Sequence, residues 1–503
     1  MIVFRNLDWA VSRTLHTLTA FVMPVGRNDL AGILVRNTAA LDGEAQLDRA
    51  LQTIREMGLL AGDPVVRGYA LHPDAKTLAR NSLGPVGCRL SDAAASDYIG
   101  ALPAGRLEDV HGLGDLAAPV NLFHLRLRLE DPEGAWRVYT HHLSDPALQK
   151  FNFCREAVQW LMQLFPAGLS GTAPGLSDRQ RVSALWDLAY AFQKMGSVDK
   201  AADLWTALAF EEHSDQKRRL LRASLGAALA YLGRLRDADE QFRGLLLASR
   251  KASLGTQVLA GHRFADLLAT CGRHGDALAL LRAVVARSAD IDPGEHVVMA
   301  HTFHARELAY AGEIEAAAEV VRRAVTLAAA ADQVRAAIDA RVAEAALMLA
   351  RGEHESARNE LCDVVNLAHE HQHAAAEMRA MIALGRAHRL VNDADRARTI
   401  LQSAIELTSA NSFRVMQSMA TLELAETLLA AGDNSSAEVA ATQAWNLAIC
   451  DGAPYVVRDV VERARAILDE TGCVRMPLPE HRGHGKLPGI REALSAMFEV
   501  EVE

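Results

Sequence analysis

His369-Glu370-His371-Gln372-His373 contains HExxH, with His369, Glu370 and His373 in the defining positions. That pattern holds zinc when both imidazoles lie one turn apart on a continuous helix and the glutamate acts as general base. A second set, His301, His304 and Glu307, shares one helical face. Gly483-His484-Gly485-Lys486 is a lone GxGK in a Pro-flanked loop, with no strand before it to make a phosphate cradle. No GxSxG or Cys/His nucleophile signature occurs. What the histidines can do depends on the elements that hold them.

Those elements are set by an internal repeat. A turn residue followed five positions later by alanine recurs as Gly196 with Ala201, Gly233 with Ala238, Gly272 with Ala277, Gly312 with Ala317, Gly352 with Ala357, Asn392 with Ala397 and Gly432 with Ala437. Successive turns lie 37, 39, 40, 40, 40 and 40 residues apart. Apolar residues precede the turn at three- and four-residue intervals, as in Leu225, Leu229 and Leu232, which is the mark of a helix buried on one face. Acidic residues follow it, as in Gly312-Glu313-Ile314-Glu315, where they suit the positive end of the next helix. Glycine, or Asn392 in its place, supplies the left-handed residue between the two. Each repeat is therefore expected as helix, turn, helix, with Phe242, Leu281, Val321, Leu361 and Leu401 filling the space between hairpins. In this register His369 to His373 falls where adjacent hairpins join, so a solvated turn is expected and the zinc geometry is broken. His304 falls on an apolar position, which predicts a packed, hydrogen-bonded histidine.

A small residue also stands seven positions before each turn: Ala189, Gly226, Ala265, Ala305, Ala345, Gly385 and Ala425. Together with the turn residue and the alanine of the second helix, this pattern resembles the tetratricopeptide repeat (TPR) over roughly residues 178–470. The period of 40, against about 34 in that family, and the lack of a helix-ending proline imply longer helices. The long variety is similar to the arrays of bacterial STAND-class regulatory ATPases such as the maltose-regulator type. The resemblance implies an all-α fold: a TPR-like α-solenoid, a right-handed superhelix of helical hairpins, capturing a protein or peptide on the concave face of its first helices. Trp186, Tyr190, His262, Asp266, Arg306, Arg379, Arg386 and Glu426 project onto that face, and aromatics beside arginines suit such capture.

Ahead of the array the signals change. Three short amphipathic segments, about 7–22, 28–40 and 45–57, precede two β-prone runs around Gly62-Asp63-Pro64. Three helices and a hairpin make a winged helix. Arg55-Glu56-Met57-Gly58-Leu59-Leu60 and Gly68-Tyr69-Ala70-Leu71-His72-Pro73-Asp74 resemble the winged helix that follows the nucleotide-binding core of STAND ATPases. The resemblance implies that His72 senses a nucleotide phosphate if an ATPase partner exists. Glu44 to Arg80 holds five acidic and five basic residues, too balanced to supply the cationic face that DNA binding needs. The chain has no GxxxxGK[ST], so it reads as the sensor half of a longer or split protein, or as a descendant that lost its ATPase. The expected organisation is a winged helix over 1–80, a linker over 81–118, a diverged hairpin and bridging helix over 119–176, seven repeats over 177–470 and a tail over 471–503. The diverged hairpin would turn at Asp131-Pro132.

Composition agrees with this class. Among 503 residues 50% are hydrophobic and only 5% aromatic, which favours helix over strand. The net charge of −10 gives no attraction to phosphates or anionic lipid. No signal peptide or membrane span is legible, which predicts a cytoplasmic protein. Six cysteines without a CxxC read as buried, reduced thiols. The expected function is that of a non-enzymatic sensor or adaptor without metal or cofactor, whose partners are a protein or peptide in the groove and a separately encoded ATPase or effector. The alternatives are a regulator binding DNA through the winged helix, and a scaffold of a multiprotein complex.

Overall fold

The computed structural model describes residues 7–61, 68–103, 105–169, 171, 173–211, 214–249, 252–331, 333–472 and 477–479. The tip of the expected hairpin, Cys473 and the GxGK loop lie outside them. The chain forms two compact units: Met1–Gln149 with Glu156–Ala184, and Lys150–Arg155 with Leu185–Glu503.

In the first unit, α1 (Trp9–Leu18), α2 (Arg27–Ala31, continued by a π-helical turn over Gly32–Asn37) and α3 (Glu44–Glu56) match the three amphipathic segments. Beyond α3 the backbone pairs antiparallel, His72 N–H donating to the Leu59 carbonyl and Ala61 N–H to that of Ala70, both at 2.9 Å. Val25 and Tyr69 add a second bridge. A linker was the expectation for 81–118, but α4 (Pro73–Gly100) is helical to its end, with one kink at Gly84, whose φ is +66°. Ala95 and Ile99 of α4 join Leu15, Leu30, Leu47 and Ile54 in one core, together with Leu125 of α5 (Ala117–Arg128). Asp92, buried on α4, accepts from Arg80 at 2.7 Å and from Arg128 at 3.0 Å, which ties both sides of the kink to α5. A turn at Glu130-Asp131 leads to α6 (Pro132–Val138), capped by the Asp131 carboxylate; α7 (Cys154–Met162) follows.

The solenoid is an all-α array of seven hairpins. These are α8 and α9 (Asp178–Met195, Val198–Glu211), α10 and α11 (Asp215–Tyr231, Leu235–Ser249), α12 and α13 (Leu254–Thr270, His274–Ser288), α14 and α15 (Glu295–Tyr310, Ile314–Ala331), α16 and α17 (Val334–Ala350, His354–Glu370), α18 and α19 (Ala374–Leu390, Ala394–Ala410), and α20 and α21 (Arg414–Ala430, Asn434–Ala448). A last helix, α22 (Arg458–Glu470), ends it. Every turn residue has positive φ, and the residue after it donates its N–H to the carbonyl five positions back at 2.8–3.0 Å. This closes the first helix with no side chain required. The repeat alanines are fully buried, and Phe242, Leu281, Val321, Leu361 and Leu401 pack as expected.

The solenoid also closes on itself. A Cβ on Gly196 of hairpin 1 would lie 2.7 Å from the Cβ of Ala374, which begins hairpin 6. One on Gly233 of hairpin 2 would meet Arg414 Cδ at 2.9 Å and Cys450 Sγ at 3.2 Å, in hairpin 7 and just after it. One on Gly272 of hairpin 3 would lie 2.6 Å from Arg458 Cβ, at the start of α22. Each partner stands five hairpins later, so one superhelical turn takes five hairpins. The turns at Gly312, Gly352 and Gly432 have nothing within 4 Å of that position. An apolar cluster of Val198, Ala374, Met378, Phe413 and Met416, with the Tyr231 ring 4.8 Å from that of Phe413, fills the seam between successive superhelical turns.

Candidate functional site

The first helices of the hairpins carry charges at repeat spacing, and neighbouring hairpins pair them. Arg306 donates to Asp266, 40 residues earlier, at 3.0 Å, and to Glu307 at 2.8 Å. Arg379 donates to Asp339, again 40 residues earlier. Arg463 of α22 and Arg389 both bind Glu423 and Glu426 at the far end. A further network joins Lys194 of hairpin 1 to Glu295 of hairpin 4, with Arg335 of hairpin 5 at 3.6 Å from the same carboxylate. Burial works to lower the pKa of Arg379, and the Asp339 carboxylate first, then Tyr231 and Asp266, overcome it and raise it.

Of the residues projected onto the groove, Asp266, Arg306, Arg379 and Glu426 are thus engaged with one another's neighbours. Arg306 still exposes 43% of its side chain. Trp186 is half-buried, edge-on to Trp205 at 4.9 Å, and the half-buried Tyr190 ring lies under the Lys194 ammonium at 4.9 Å. His262 departs from the expectation: it is fully buried, stacked on His296 and tilted against Phe303, both with ring centroids 5.8 Å away, and offers no surface to a partner. Arg386 is the opposite case. It is exposed, and among the described residues no hydrogen bond or ion pair holds it. Its register mate one repeat back is Ala346, and Glu426 one repeat on is taken by Arg389 and Arg463. In the first unit His72 is exposed at the head of α4, its backbone N–H bonded to Leu59.

The HExxH residues sit as the repeat register requires. His369 lies in the last turn of α17, which ends at Glu370, Gln372 has φ +53° and α18 begins at Ala374, so no helix carries both His369 and His373. The turn is not solvated throughout, however: His373 is buried, with Nε2 3.0 Å from Asp339 Oδ2, while exposed His369 meets Glu377 at 2.9 Å. His304 is packed as expected, but neither ring nitrogen has a hydrogen-bond partner. His301 does, through Nδ1 and the Val297 carbonyl at 2.8 Å. No group of three or more His, Cys, Asp or Glu side chains among the described residues can hold a metal ion. Cys154 and Cys271 are buried thiols, whereas Cys362 is exposed, against the expectation for it.

Burial pushes the pKa of His304 down to about 4, with His301 adding to it, and burial does the same to His373, helped by Arg335. His262 is lowered well below its ordinary value, again by burial and then by Arg263. A folded-state pKa below the unfolded one means that the unfolded chain binds protons first. These groups therefore contribute full stability above about pH 6.5, and lose it as pH falls toward about 4. Urea midpoints measured from pH 7.5 to 4.5 are expected to fall steadily, and His304→Phe to reduce that slope.

Asn152 had no sequence signal beyond being an asparagine. It has φ +59° and is buried; its carboxamide donates to the His371 carbonyl and accepts from Arg335 at 3.4 Å. Arg155 N–H adds a bond to Gln372 at 2.9 Å. Asn152 thus takes, ahead of hairpin 1, the seam role that Gly196, Gly233 and Gly272 take later.

No protein-family model matches the chain, and no curated protein matches it. Among solved structures it is similar to a STAND protein with a tetratricopeptide repeat sensor from Pyrococcus horikoshii, at 12% identity and TM-score 0.42, over 87% of this chain and 62% of that one. It is also similar to a Rap protein complexed with competence and sporulation factor, at 13% identity and TM-score 0.45, over 64% of this chain and 87% of that one. A tetratricopeptide repeat protein from Parabacteroides merdae aligns at 13% identity and TM-score 0.33, over 56% of this chain and 98% of that one. The chain spans 62% of the length of the STAND protein. No helix among the described residues is long and apolar enough to cross a membrane.

Proposed function

We propose that the solenoid binds a protein or peptide on the face of its first helices, as the non-catalytic sensor or adaptor of a STAND-like signalling system. The observation that carries this reading is Arg386. On a face whose other projected charges are neutralised from hairpin to hairpin, it alone stands exposed and unpaired among the described residues. Half-buried Trp186 and Tyr190 on the same helix set provide flat apolar contact area of the kind interfaces favour. Three helices with two antiparallel backbone bridges support a winged helix in the first unit, with an ATPase supplied by a longer or separate chain and His72 facing its nucleotide.

The test is affinity capture with the full chain, with and without ATP, using wild type and Arg386→Glu side by side. Because Arg386 has no partner to lose, the variant is expected to keep wild-type stability and to bind the captured protein at least about tenfold more weakly. Equal binding by the two would remove this face from the reading.

A further inference from the structure

In the first unit, three basic side chains converge on the end of α1. Lys76 of α4 donates to the Phe21 carbonyl at 2.6 Å, Arg80 of α4 to that of Thr19 at 3.2 Å, and Arg128 of α5 to that of Ala20. The carboxylate shared by the two arginines is Asp92, 2.7 Å from Arg80 and 3.0 Å from Arg128. The carbonyl end of a helix adds only about half a negative charge, so three cations set against one carboxylate leave this cluster net positive. The titrating groups beside it register the excess. Burial, then Arg128 and Arg80, push the pKa of Lys76 down to about 8, although Asp92 acts the other way. Burial, then Arg128, push that of His124 on α5 down to about 4 against its Gln163 bond, and Lys76 adds to the fall.

An open cavity of about 450 Å³ adjoins the cluster, lined by His124, Leu127 and Arg128 of α5 and by Gln163 and Pro166 just beyond α7. That volume is in the range of small-molecule sites. Arg128 uses Nε and Nη2 on Asp92 and Ala20; its Nη1 has no partner among the described residues, and 27% of the side chain is exposed. His124 Nδ1 meets Gln163 Oε1 at 3.1 Å. Leu127 and Pro166 make the apolar part of the wall. We propose that this cavity binds a small organic anion, its charged group on Arg128 Nη1 and its apolar body against Leu127 and Pro166. A carboxylate and a phosphate monoester share that chemistry. The proposal does not rest on partner capture by the solenoid, since every residue named here belongs to the first unit.

The experiment titrates the full chain at pH 7 with three probes that carry the same ring: benzoate, phenyl phosphate and uncharged benzyl alcohol. Ligand-observed NMR reads the affinity of each. At least one anion is expected to bind about tenfold or more tightly than benzyl alcohol, and the tighter anion identifies the charged group the site prefers. Two variants at exposed Gln163 place the probe in this cavity without disturbing the Arg128–Asp92 pair. Gln163→Glu puts a carboxylate in the wall and is expected to weaken the anion about tenfold, with the urea midpoint of wild type, as a surface change allows. Gln163→Asn keeps the wall neutral and is expected to retain binding within about twofold. Equal affinity for all three probes, no binding of either anion up to about 10 mM, or an affinity indifferent to Gln163→Glu would each overturn the proposal. None of these results bears on Arg386, so the site and the protein-binding reading stand or fall separately.

Discussion

Gly272→Ala is expected to destabilise the solenoid by about 3 kcal/mol or more, whereas Gly312→Ala and Gly352→Ala lose only about 1–2 kcal/mol each. All three glycines have φ near +79°, so each substitution carries the same left-handed backbone penalty. The difference lies in what a methyl group meets. At Gly312 and Gly352 it meets nothing within 4 Å, and at Gly272 it lands 2.6 Å from Arg458 Cβ, which is fixed to the backbone of α22 and cannot rotate away. Either the methyl or the helix must move, and moving α22 disturbs the bonds of Asp459 to His274 and Tyr310. Urea denaturation of the three variants checks the ranking. Equal losses at all three sites would show that the seam is not closed in solution, since only closure distinguishes them.

Asp339→Ala is the second large effect, expected at about 3–5 kcal/mol, the range for breaking a buried ion pair from one side. Asp339 is buried in hairpin 5 between His373 Nε2 at 3.0 Å and the Arg379 guanidinium, both from the start of hairpin 6. Burial by itself would raise its pKa; the His373 ring and the Arg379 guanidinium overcome that and hold the carboxyl well below the usual carboxylate range. Its depressed folded pKa means that its contribution is complete above about pH 4, the unfolded value, and disappears as pH falls further. Removing the carboxylate leaves Arg379 facing the interior unpaired and His373 without its acceptor. The loss at pH 7 is measured by urea denaturation, and the variant is also expected to show a shallower decline in stability below pH 4 than wild type. Asp395→Ala, which removes an almost fully exposed i,i+3 partner of Arg398, is the contrasting control and is expected to change stability by less than about 0.5 kcal/mol.

Sequence by itself determined the hairpins. Apolar spacing, the turn glycine and the small residue seven positions before it are local requirements: a helix must bury one face, end in a left-handed residue and let its partner approach. At Gly226 and Gly385 the reason for the smallest residue is direct, since a Cβ there would meet the Phe242 ring at 2.7 Å and Leu401 Cδ2 at 2.6 Å. The broken HExxH was legible for the same reason, because a 40-residue register assigns a turn to His371–His373 whatever the side chains are.

Tertiary structure alone decided which turns are covered, which charges are paired and which residue is left over. Gly272 and Gly312 are equivalent in sequence, and only the rotation accumulated over five hairpins brings Arg458 against the first and leaves the second bare. His262 and Arg386 were indistinguishable as inward-projecting polar residues. Packing against the His296 and Phe303 rings buries one, while an alanine one repeat back and an occupied Glu426 one repeat on leave the other free. Asn152 gained its role from contacts with His371 and Arg335, 219 and 183 residues away. Periodicity records that a face is buried and says nothing of what covers it, because the angle between successive hairpins is a sum of many small packing choices that no single residue carries.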